Sequence, residues 1–135
     1  MADEQSEVLD TNASFYTAFA GRDYEAMEAL WSSASVTVCV HPGWPPIRGR
    51  EEVMKSFRSI FEHDTGPSPT CEAPTCHVIG TGAFVVCRER LGNAVLIATN
   101  VYARESGQWR LVHHHASALA QVPATPELDS EMLPN

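Results

Sequence analysis

Residues 70–118 read TCEAPTCHVIGTGAFVVCRERLGNAVLIATNVYARESGQWRLVHHHASA. Four runs enriched in β-branched and aromatic residues, at 70–79, 83–91, 94–104 and 109–118, are separated by Gly80-Thr81-Gly82, Gly92-Asn93 and Ser106-Gly107. Such side chains suit a pleated surface, and separators this short, made of turn formers, join strands as hairpins. The stretch therefore predicts a four-stranded antiparallel meander.

Working back from the meander, residues 50–62 place Val53, Phe57, Ile60 and Phe61 at helical spacing, with Glu51 and Glu52 in the first turn, where the helix dipole favours negative charge. Pro45 and Pro46 forbid a helix just before it, so Ile47 is expected in a short extended piece. The run SVTVCVH at 35–41 reads as a first strand closed by Pro42-Gly43. Further back, Val8, Phe15, Ala18 and Phe19 form one stripe of a helix over residues 4–20 that ends at Gly21, and Asp23 caps a short second helix reaching Trp31. Helices first and a meander last is the α+β order, with three helices gathered on one face of a curved sheet.

The chain has 135 residues, 44% hydrophobic and 19% charged, which suits one globular domain with a real core, predicted over residues 1–122. Residues 123–135, with Pro123, Pro126 and Pro134 among acids, are expected to form a flexible acidic tail. The formal charge of -8 belongs to the ends: seven acids lie at Asp3, Glu4, Glu7, Asp10, Glu127, Asp129 and Glu131, leaving ten acids against nine bases between. No basic stripe is left to bind nucleic acid or an anionic membrane. No run near 18 apolar residues occurs, and the acidic N-terminus lacks the apolar core of a secretory signal, so a cytoplasmic protein is expected. Cys39, Cys71, Cys76 and Cys87 sit in strand-like segments without a C-x-x-C pair and are expected as reduced, mostly buried thiols.

The segment 20–61 carries Ala20-Gly21, Ala29-Leu30-Trp31, Val40-His41-Pro42 and Pro45-Pro46-Ile47-Arg48-Gly49-Arg50-Glu51. With these it resembles the NTF2-like superfamily, and within it the SnoaL-like group. The resemblance implies a cone-shaped α+β barrel, a homodimer packed through the outer sheet face, and a pocket open at one end. It leaves the activity open, since the superfamily includes isomerases, dehydratases, cyclases, epoxide hydrolases and pure binding modules. In its ketosteroid isomerase-like members the acid before the proline that ends the first strand is the general base; His41 stands at that position here. The same members place a tyrosine of the first helix at the developing oxyanion, and Phe15, with Tyr16 beside it, stands there.

His41 can move a proton near neutral pH or serve as a hydrogen-bonded imidazole at a strand end. Trp44 follows in a Gly-Trp-Pro-Pro loop, either over a ligand or as a plug on the core. His113 and His115, by the two-residue period of a strand, share a face with Trp109 and Leu111, while His114 takes the other; that face lines either the cone or the dimer contact. Phe15, Phe19, Trp31 and Phe57 are expected to supply apolar lining to a pocket for a small, largely apolar organic molecule. His41, His113 and His115 would suit a zinc ion only if they converged, and no metal or cofactor is expected. Phosphate-binding Gly-rich loops and a G-x-S-x-G elbow are missing, which sets aside nucleotide and α/β-hydrolase chemistry. The functional expectation is a pocket protein, either an isomerase, cyclase or dehydratase with His41 as base, or a non-catalytic binding or association domain.

Overall fold

The computed structural model describes residues 3–120; the expected tail lies outside them. Helices α1 (Glu4–Ala20), α2 (Tyr24–Leu30) and α3 (Arg50–His63) accompany strands β1 (Val38–Val40), β2 (Ile47–Arg48), β3 (Thr70–Ile79), β4 (Gly82–Leu91), β5 (Ala94–Glu105) and β6 (Gln108–Ala118). Local chemistry sets several of these ends. The Asp23 carboxylate accepts the Ala26 backbone N–H at 3.1 Å and caps α2. Gly49, at φ 87°, makes the left-handed turn into α3 that a side chain would strain, and its N–H reaches Thr37 O at 2.8 Å. The following Arg50 Nη2 donates to Glu28 O at 2.7 Å, which ties α3 to the preceding short helix.

The six strands form one open sheet in the order β2-β1-β6-β5-β4-β3. The meander is antiparallel as expected, but β1 joins β6 in parallel, with Val38 opposite His113 and Val40 opposite His115. The sheet is therefore mixed. Short hairpins dictate direction only within β3–β6, whereas β1 reaches its partner through a long stretch of chain that leaves either direction open.

The helices cover one face of the sheet. Phe15, Trp31, Phe57, Met27, Tyr102 and Leu111 are fully buried between the layers. Phe15, Phe19 and Phe57 meet edge to face at 5.8 to 6.1 Å, an arrangement that adds to the stabilisation from burial alone.

Strand β6 carries the irregularity that matters most for function. Val101 pairs with His113, but the next residue, Tyr102, pairs with Leu111, so Val112 is an extra residue opposite no partner. A bulge of this kind moves every side chain beyond it to the other face. Trp109 and Leu111 point inward, and beyond the bulge it is His114 and Ala116 that are buried. His113 and His115 therefore lie on the outer face, separated from Trp109 and Leu111, contrary to the alternation expected from the sequence.

Candidate functional site

One end of the layer between helices and sheet opens into a cavity of about 180 Å³. Its polar wall comes from the last residue before the Pro42-Gly43 turn, His41, and from two strand residues, Glu89 of β4 and His114 of β6. Phe19, Ile60 and Leu91 supply apolar lining, and Pro67 and Pro69 of the loop after α3 close the rim. Arg22 ties that loop to the end of α3, donating to Gly66 O in the loop and to Ile60 O and Phe61 O in the helix. Trp44, 42% exposed, stands at the mouth with its ring 4.9 Å from that of His41, and Asp64 lies at the same entrance.

Glu89 is an acid on an otherwise apolar inward row, Ala83, Val85 and Cys87, and is only 2% exposed. Burial disfavours its charged form and raises its carboxyl above the usual range, an effect that Tyr16 partly opposes by donating to Oε2 at 2.6 Å. Tyr16 is itself held: Asn100 Nδ2 donates to its hydroxyl at 3.1 Å and to Asn12 Oδ1 at 2.9 Å, and Tyr102 donates to that same Oδ1 at 2.7 Å.

This network fixes the protonation of His114. Both Asn100 donor contacts come from Nδ2, so its Oδ1 is an acceptor, and the His114 Nδ1 found 2.5 Å away must carry the proton. Nε2 is then the unprotonated nitrogen, 3.9 Å from Glu89 Oε2. Burial lowers the His114 pKa to about 3, with the neighbouring imidazoles acting in the same direction, so the ring is neutral at physiological pH. His41 follows the same logic. The Ser56 hydroxyl donates to Val53 O at 2.6 Å and therefore accepts from His41 Nε2 at 2.9 Å, which leaves Nδ1 unprotonated, 3.9 Å from the Cys39 Sγ. Burial lowers its pKa to about 4.

Of the residues singled out in the sequence, His41, Phe19 and Trp44 line the cavity. Phe15, Trp31 and Phe57 are packed into the core behind it, and Tyr16 touches it through Glu89. His113 and His115 do not reach it: His113 Nδ1 lies 2.8 Å from Val38 O, and the two rings meet edge to face at 6.0 Å on the outer side of the sheet. A zinc site from His41, His113 and His115 is therefore not formed, and among the described residues no group of three or more His, Cys, Asp or Glu is placed to hold a metal ion. The four cysteines are free thiols. Glu89 and His114 were missed. Glu89 was legible as a lone acid alternating with Ala83, Val85 and Cys87, whereas His114 was hidden by the bulge.

A helix layer over one face of a curled, unclosed mixed sheet is the cystatin-like, NTF2-like architecture. The profile of the SnoaL-like domain matches residues 8–121, and the chain belongs to that family. A solved candidate dehydratase of the NTF2-like family from Streptomyces avermitilis is 31% identical, with a TM-score of 0.80 over 87% of this chain and 97% of its own. A candidate calcium/calmodulin-dependent protein kinase type II association domain from Thiobacillus denitrificans is 28% identical, with a TM-score of 0.70 over 81% of this chain and 92% of its own. Among curated proteins, the F-box protein SKIP8 of Arabidopsis thaliana is 28% identical over 83% of this chain, which spans about half (49%) of that relative's length. No described helix is long and apolar enough to cross a membrane.

Proposed function

We propose that the chain binds a small organic molecule in this cavity and moves a proton on it, in chemistry of the isomerase, cyclase or dehydratase type. The observation that carries the reading is Glu89: a carboxyl 2% exposed, held above its usual range by burial, at the wall of a largely apolar cavity. A general acid–base group works best when its pKa approaches the working pH, because it then both takes and gives the proton readily. His41, at about 4, is a weaker base than Glu89 under this criterion, and we assign it, with His114, to hydrogen bonding of the bound molecule. The likeness to a candidate dehydratase over nearly all of both chains supports an enzyme over a purely associating domain.

The test offers cyclic ketones and β-hydroxy ketones in D₂O and follows loss of water, double-bond migration and α-hydrogen exchange by NMR. Wild type should exceed Glu89→Gln by roughly 10²-fold or more, the usual contribution of a positioned acid–base group. Equal rates in both proteins would defeat the assignment.

A further inference from the structure

The side-chain N–H and O–H groups that meet at the deep wall of the cavity are already spent inside the protein. His114 gives its Nδ1 proton to Asn100, His41 its Nε2 proton to Ser56, and Tyr16 its hydroxyl proton to Glu89. What the wall offers is an unprotonated imidazole nitrogen and a carboxyl, the His114 Nε2 and Glu89 Oε2, 3.9 Å apart. A single oxygen can sit within about 2.8 Å of both, and a hydroxyl there gives its proton to one of these two acceptors. An ether or carbonyl oxygen leaves Nε2 without a donor, and unpaired buried polar groups are costly.

The charges point the same way. Among the described residues no Lys or Arg lines the cavity, while Asp64 stands at its mouth and Glu89 at its wall. The two imidazoles, lowered to about 4 and about 3, supply no positive charge at neutral pH. The volume of about 180 Å³ is below the roughly 300–1,000 Å³ of sites for drug-sized ligands, which limits the occupant to a fragment-sized molecule.

We infer that the cavity takes an uncharged molecule of one or two rings that presents a hydroxyl group to Glu89 and His114, and that it excludes carboxylates and other anions. This deepens the reading of the cavity as a small-molecule site and holds whether or not a reaction follows.

Three probes with one skeleton separate donor from charge: 2-naphthol, 2-methoxynaphthalene and 2-naphthoate, titrated at pH 7 into the full chain with the ring ¹⁵N signals of His41 and His114 as readout. 2-Naphthol should bind at least about tenfold more tightly than either analogue, since sites built around a hydroxyl reject ligands without it. It should also move the His114 Nε2 signal. Equal or tighter binding of 2-naphthoate or of 2-methoxynaphthalene, or no response of His114 to 2-naphthol, would overturn the inference. In Glu89→Gln, which keeps an acceptor for Tyr16, the preference over 2-naphthoate should narrow; an unchanged ratio would also count against it. Binding is read here without turnover, so a selective but inert protein keeps this inference and removes the acid–base reading, while turnover with an anionic preference does the reverse.

Discussion

Asn100 controls the cavity from behind it. Its amide holds Tyr16 with one end and the His114 Nδ1 proton with the other, so one side chain sets both the hydroxyl that faces Glu89 and the tautomer that leaves His114 Nε2 bare. Asn100→Ala strips partners from several buried groups at once, and a single stranded group of this kind costs about 1–3 kcal/mol. The substitution should lower stability to chemical denaturation by at least that amount and mix the His114 tautomers in the ring ¹⁵N spectrum. Wild-type stability with a single Nδ1–H tautomer would contradict the network as described.

At the scale of elements, β6 shows where sequence reading works and where it stops. Strand period is two, so one side chain assigned inward assigns its neighbours, and β4 obeys: Ala83, Val85, Cys87 and Glu89 are all buried. In β6 the period breaks at Val112, a bulge that depends on pairing with β5 and on no turn residue, and the three consecutive histidines exchange roles across it. The helices and the hairpins were legible because caps, turn glycines and apolar spacing are local signals. The parallel seating of β1 was not, since it depends on a partner far along the chain.

The same bulge leaves an outer sheet face of half-buried Phe84, Val86, Val101 and His113, with exposed His115 beside them. We propose that this face joins two copies of the chain, because apolar area of that kind gains from being covered. Light scattering at micromolar concentration should give twice the 14.8 kDa of one chain, and Val101→Glu, which puts a charge between Phe84 and His113, should return it to one. A monomeric wild type would remove the dimer.

Across the whole molecule, the open end of the cone gathers buried ionisable groups whose effects on stability oppose each other. His41 and His114 are lowered from 6.5, so the unfolded chain binds their protons first and the stability they support is lost as pH falls from 6.5 through about 4 and about 3. Glu89 is raised from 4.5, so the folded state keeps a proton that the unfolded chain releases, and its contribution is lost as pH rises through the folded midpoint. Buried ionisable groups with shifted protonation that cost stability in part of the pH range are characteristic of sites kept for chemistry. The most direct measurement is therefore the titration of the Glu89 carboxyl carbon by ¹³C NMR, assigned by its absence in Glu89→Gln, with and without 2-naphthol. A midpoint clearly above 4.5 that moves when the probe binds is the predicted result. A midpoint at or below 4.5, indifferent to the probe, would contradict the role given to Glu89.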